Sequence, residues 1–211
     1  MSEGDGETTP NLLVEVGAGG QVLREVGLPP GIEAGATSNG FEGVAVVHDP
    51  SGQEQVWVAV QREWADNPAG QVTLARYTPA VGTWAFVAYP LEAAPPGATV
   101  GLSELTALDD DTLLVLERDN RRGEAARIKR VYQVELAGVV PVPAGEPRPL
   151  LGKRLVLDLI PALLAGGGVV ADKPESLAVS GGRLLGAVDN DGLEDAPGES
   201  VLLHLGRVPA H

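Results

Sequence analysis

Hydrophobic and polar residues alternate along this chain in short runs, and glycine, proline, aspartate or asparagine bounds almost every run. Period-two alternation over four to eight residues marks a half-buried strand, and clustered turn residues between such runs mark hairpins. The clearest case is Phe41-Glu42-Gly43-Val44-Ala45-Val46-Val47, a turn through Asp49-Pro50-Ser51-Gly52, then Val56-Trp57-Val58-Ala59-Val60. Two later stretches repeat the unit. Residues 101–108 turn at Asp109-Asp110-Asp111 into 112–116, and residues 173–179 turn at Ser180-Gly181-Gly182 into 184–188. Each hairpin carries an acid near its entrance (Glu42, Glu104 and Glu175, 62 and 71 residues apart). Each also ends in a polar triplet: Gln61-Arg62-Glu63, Glu117-Arg118-Asp119 or Asp189-Asn190-Asp191.

Further alternating runs follow each hairpin, at 72–77 and 83–89, at 128–136 and 154–159, and at 201–208. Four strands per unit is the pattern of a propeller blade, with long loops stretching the usual period. Residues 12–16 and 22–26, joined through Gly17-Ala18-Gly19-Gly20, predict the outer half of a preceding blade. The predicted fold is therefore all-β and β-propeller-like, with four-stranded antiparallel blades over residues 11–208. An acidic segment, residues 1–10, is expected to be disordered ahead of it. Propellers typically close with about 4–8 blades. About three blades and a hairpin predict a partial propeller, whose open edges offer self-association. Residues 159–165, before Gly166-Gly167-Gly168, predict a short helix in an inserted loop.

Composition narrows the partners. The chain has 211 residues with 28 Gly and 17 Pro, which suits many turns. Its net charge of −14 repels nucleic-acid backbones and anionic membranes and attracts divalent cations. The absence of cysteine excludes disulfides, a thiol nucleophile and Cys-ligated zinc. The start, Met1-Ser2-Glu3-Gly4-Asp5-Gly6-Glu7, lacks the basic and apolar character of a signal peptide. No apolar run reaches the length of a membrane-spanning helix. G-x-S-x-G, P-loop and G-x-G-x-x-G patterns are missing. His48, His204 and His211 have no metal-ligand spacing, and the first two are expected on strand surfaces. Trp57, Tyr77 and Trp84 are expected in sheet packing, and Ser103 and Ser176 as turn hydroxyls.

In an antiparallel hairpin the start of one strand lies beside the end of the next. Each entrance acid therefore falls near its exit triplet. Inner propeller strands run alike, so three acidic clusters are expected to converge on one channel. Like charges held together need a cation or an arginine between them. Ca²⁺ is the expected cofactor, because it takes several oxygen ligands from carboxylates and amides. Asp189-Asn190-Asp191-Gly192 offers such ligands, although Ser200 stands where an EF-hand places glutamate. Glu117 and Asp119 join the expected metal set. The other reading is that these acids cap turns and face water. Arg62 and Arg118 hold equivalent places and suit either bidentate anion binding or ion pairs within a blade. Arg121, Arg122, Arg127, Lys129 and Arg130 are expected on a solvated loop and an outer strand face.

Three motifs carry a resemblance. Asn39-Gly40-Phe41-Glu42-Gly43-Val44-Ala45, Leu114-Val115-Leu116-Glu117-Arg118-Asp119 and Val188-Asp189-Asn190-Asp191 resemble landmarks of the esterase-like phytase domain. The similarity covers roughly residues 11–208, and Glu175-Ser176 departs from the Glu-Gly usual there. It implies a β-propeller, often exported and usually longer at its N-terminal end. Taken with the in-register acidic repeat, it leads to the expectation of a metal-dependent hydrolase of a small-molecule anionic ester or phosphoester. Glu42, Glu104 and Glu175 are then the expected catalytic residues and Arg62 and Arg118 bind substrate. Glu117, Asp119, Asp189, Asn190 and Asp191 are the expected metal ligands. The alternative is a non-catalytic binding module, or an inactive fragment, with structural calcium.

Overall fold

The computed structural model describes residues 1–165, 170, 173–189 and 200–208. Thirteen strands occur among them, each on one of the alternating runs. Strands β1 (Leu12–Val16) and β2 (Val22–Gly27) form a hairpin. Strands β3 (Phe41–His48), β4 (Glu54–Val60), β5 (Gln71–Thr78) and β6 (Thr83–Pro90) form a four-stranded antiparallel sheet in chain order. A second such sheet holds β7 (Val100–Asp109), β8 (Thr112–Asp119), β9 (Lys129–Glu135) and β10 (Lys153–Asp158). The last has three strands, β11 (Pro174–Ser180), β12 (Arg183–Val188) and β13 (Val201–Arg207). Gly181 and Gly182 both take positive φ, which a two-residue turn between β11 and β12 requires. The expected short helix is present as α2 (Ile160–Ala165), with Leu163 buried. A single turn, α1 (Pro30–Glu33), starts on proline.

The chain divides into two compact units. The first is Met1–Pro90 with Gly138–Leu151, and the second is Leu91–Ala137 with Gly152–His211. In the first unit, Trp57, Val58, Ala59 and Val60 of β4 are all buried, so both sheet faces are covered there. Phe41, Val60, Tyr77 and Phe86 pack with Leu13, Leu28 and Ile32. Trp84 stacks at 5.1 Å from the Tyr77 ring and donates through Nε1 to the Gly27 carbonyl at 2.9 Å. The aromatic residues therefore serve sheet packing, as their alternation predicts.

Residues 138–151, between β9 and β10, cover the free edge of β6. Phe86 and Val142 exchange two backbone hydrogen bonds of 2.7 and 3.0 Å, and Ala88 donates to Pro149 and accepts from Leu151. Arg148 pins this strap by pairing with Asp66, donating to Thr73 Oγ1 at 2.8 Å and lying over the Phe86 ring. An edge strand otherwise presents a row of unpaired N–H and C=O groups. In the second unit Leu114, Leu116 and Val131 pack against Leu159, Leu163, Leu177, Leu184, Val188 and Leu203.

Residues 1–10, expected to be unstructured, carry contacts of their own. The Asp5 carboxylate accepts the N–H groups of Glu7, Thr8 and Thr9 and the Thr8 hydroxyl. Ser2 bridges to Leu12. Asn11, wholly buried, accepts Gly4 N–H and Phe41 N–H on Oδ1, both at 3.0 Å. A Cβ on Gly40 would stand 2.1 Å from that oxygen, so the close approach requires glycine. Replacing Asn11 with alanine strands two buried donors. Each unsatisfied group costs about 1–3 kcal/mol, so Asn11→Ala is expected to lower unfolding stability by about 2–6 kcal/mol in a urea titration.

Candidate functional site

One device recurs at the entrance of all three hairpins. Phe41 faces Val60 and Gly43 faces Ala59, which leaves Glu42 as an extra residue. Leu102 faces Glu117 and Glu104 faces Leu116, which leaves Ser103. Pro174 faces Val188 and Ser176 faces Ala187, which leaves Glu175. A β-bulge of this kind bends its strand and re-aims the extra side chain. The structural counterparts are therefore Glu42, Ser103 and Glu175, with Glu104 one place further on. At the exits, Gln61, Arg118 and Asp189 fall in one register, so Arg62 and Arg118 are not equivalent. Matching acid to acid slid the alignment by one residue, because period two does not show an inserted one.

In the first unit, Glu42 accepts a hydrogen bond from Gln61 Nε2. Arg62 is half-buried in the loop after β4. In the second unit the entrance strands β7 and β11, each the edge of its sheet, meet through side chains. Ser103 Oγ donates to the Pro174 carbonyl at 2.9 Å, and Thr106 Oγ1 donates to the Leu177 carbonyl at 3.1 Å. Ser103 is thus a buried stitch and not a turn hydroxyl. The Glu104 carboxylate accepts the N–H groups of Leu105 and Leu177. Burial outweighs those bonds and pushes its carboxyl up to about 7.

Arg118 faces Gly101, and the bulge at Ser103 separates that rung from the one where Glu104 faces Leu116. Arg118 Nη2 donates to Glu175 Oε1 at 2.7 Å. Burial pushes the Glu175 carboxyl above its ordinary value; Arg118 and Lys173 oppose the shift and Asp189 adds to it. The structure thus brings Arg118 and Glu175 together and ties Glu104 to β11 at Leu177, while Glu42 and Arg62 belong to the first unit.

The acids flanking Arg118 are wholly buried, and each is met by a lysine. Glu117 accepts Lys153 Nζ at 2.7 Å and Glu92 N–H at 2.5 Å. Lys153 also pairs with Glu92 and lies 4.2 Å from the centre of the Tyr132 ring. Tyr132 donates its hydroxyl to Glu92 at 2.9 Å, and burial pushes its own phenol up to about 12. Burial acts upward on Glu92 too, but Tyr132, Lys153 and Arg130 outweigh it and hold the carboxyl below its ordinary value. Asp119 pairs with Lys129 Nζ at 3.1 Å and accepts the N–H groups of Arg121, Arg127 and Ile128. Lys129 was expected on an outer face. It has no exposed surface, because its alternation with Val131 and Gln133 turns it inward beside Asp119.

These partners fill the oxygens of Glu117 and Asp119, so neither fits a cation. Among the described residues, no three His, Asp or Glu side chains are grouped to hold a metal ion. Asp189 donates its N–H to the Lys173 carbonyl at 2.9 Å, while Asn190 and Asp191 lie outside the described residues. His48, His204 and Ser176 are exposed. Lys153, Glu92 and Tyr132 went unnoticed in the sequence. The one signal for them was a charge or hydroxyl at the rim of an otherwise apolar run.

A family model described as phytase-like, esterase-like activity of phytase, matches residues 1–192 of the chain. No curated protein matches, and no solved structure does.

Two measurements test this electrostatic picture. Lys129→Met leaves the Asp119 carboxylate buried without its cation, and is expected to cost about 3–5 kcal/mol in chemical unfolding. Glu104 binds its proton more tightly folded than at its ordinary value of 4.5. Its contribution to stability is therefore full below about pH 4.5 and is lost as pH rises through about 7. Glu104→Gln is expected to flatten the melting temperature across that window. Above pH 7 the variant should gain stability relative to the parent chain.

Proposed function

The chain belongs to the esterase-like phytase family, and on that premise we propose that it hydrolyses a small anionic ester or phosphoester. The observation that carries this reading is that a carboxyl and a guanidinium of the second sheet both reach β11, Glu104 at the Leu177 N–H and Arg118 at the Glu175 carboxylate. A carboxyl pushed up to about 7 exists in both protonation states near neutral pH. It can take a proton from an attacking water and return one to the leaving group. The Arg118 guanidinium holds the anionic part of the ester through paired N–H donors. Glu42 and Arg62 offer a second carboxylate and guanidinium in the first unit, which Glu42→Gln and Arg62→Lys test in the same assay. The successive sheets are read as blades of a partial β-propeller, which their sequential strand order supports. No step is routed through calcium, because the flanking acids are given to lysines. That same saturation favours, as a second reading, a non-catalytic module that binds anions without turnover.

Hydrolysis of p-nitrophenyl acetate and p-nitrophenyl phosphate, each with added Ca²⁺ and with EDTA, separates the two. Turnover is expected, with kcat rising with pH through about 7. Glu104→Gln is expected to lower kcat by about 10²–10⁴-fold. Arg118→Lys should raise KM for the charged ester and leave KM for the neutral one unchanged. A folded chain that turns over neither ester under any of these conditions contradicts the hydrolase reading.

A further inference from the structure

Arg118 and Glu175 come from different sheets. Arg118 lies near the exit of β8, and Glu175 is the extra residue of the β11 bulge. The bulge turns Glu175 off its own ladder, and its carboxylate ends 2.7 Å from the guanidinium. Solvent reaches this pair: the side chains are 10% and 23% exposed, against none for Lys129 and Asp119. Arg118 is also held rigidly, between two acids whose positions lysines fix. Glu175 is less settled, since burial works against its charge despite Arg118 and Lys173.

We propose that Glu175 occupies, in the ligand-free protein, the place on Arg118 that the anionic group of a substrate takes, so that substrate binds by displacing it. The proposal rests on reading Arg118 as the anion-holding group of the site. A carboxylate and a phosphate both offer a guanidinium two oxygens in one plane. One anion can therefore replace the other without leaving a half-buried cation alone, which is the costly state. The charge of Lys173 already favours the Glu175 carboxylate alongside Arg118. The ligand class is a small oxyanion, and the terminal phosphate of a monoester fits it.

Isothermal titration with inorganic phosphate tests this without reading turnover. Glu175→Gln and Glu175→Ala are each expected to tighten phosphate binding by about five- to tenfold. Adding Arg118→Met to Glu175→Gln should abolish the gain. Asp111→Asn, which removes one exposed charge elsewhere, should leave affinity unchanged. No tightening in either Glu175 variant overturns the proposal, as does a gain that survives Arg118→Met or appears in Asp111→Asn. A chain that hydrolyses no ester can still pass this test, and an active hydrolase can fail it.

Discussion

A carboxylate sealed from water must be met by a cation and by N–H groups, and Asp119 draws all of these from the ten residues that follow it. Lys129 supplies the charge, and Arg121, Arg127 and Ile128 supply backbone donors. Lys129 also donates to the Asp119 carbonyl at 2.6 Å, so side chain and backbone are tied at once. An isolated buried charge would be prohibitive, and a saturated one fixes everything attached to it. The loop between β8 and β9 is thereby wrapped around a single side chain. The exit of β8 is held from one side by Asp119 and from the other by Glu117 with Lys153. Arg118, between them, has little freedom over where its guanidinium emerges. A fixed cation of this kind loses little on meeting an anion, which is what preorganisation means in a binding site.

The second constraint is geometric. A ladder in strict register sends alternate side chains to opposite faces, and no acid at a hairpin mouth could leave that pattern. The inserted residue breaks it locally. Glu42 and Glu175 use the break to present a carboxylate, whereas Ser103 uses it to reach a neighbouring backbone carbonyl. Ser103, Glu104 and Thr106 then bond the backbone of β11 through side chains, where a continuous sheet would use main-chain rungs. Two sheet edges meet there without merging.

Most strands were legible because a half-buried strand writes its period directly into the sequence. Run 41–47 alternates and became β3, whereas 83–89 and 112–116 are short apolar runs between turn residues and became β6 and β8, which are buried over half and over all of their length. The helix at Ile160–Ala165 was legible too, from an apolar run that does not alternate. The site was legible only in outline. Glu104, Arg118 and Glu175 stand out by residue type and position as candidates, but a bulge has no compositional mark, so their mutual register was misread by one. Lys129 and Lys153 look like surface residues by type. Only three-dimensional pairing with Asp119 and Glu117 shows why they are inside. The buried amide of Asn11 ties Gly4 and Phe41 together, and nothing in the sequence marks that asparagine as buried.

The strap over β6 has a consequence in time. Val142 is synthesised about fifty residues after Pro90. At common translation rates of about 5–20 residues per second, the edge of β6 waits on the order of several seconds for its cover. During that interval most of the first unit exists, yet one flank is open to pairing with other nascent chains. The second unit has meanwhile begun, since β7, β8 and β9 precede the strap. The two units are interleaved in the gene as well as in synthesis. Neither can be excised, duplicated or exchanged by recombination as an uninterrupted stretch of coding sequence.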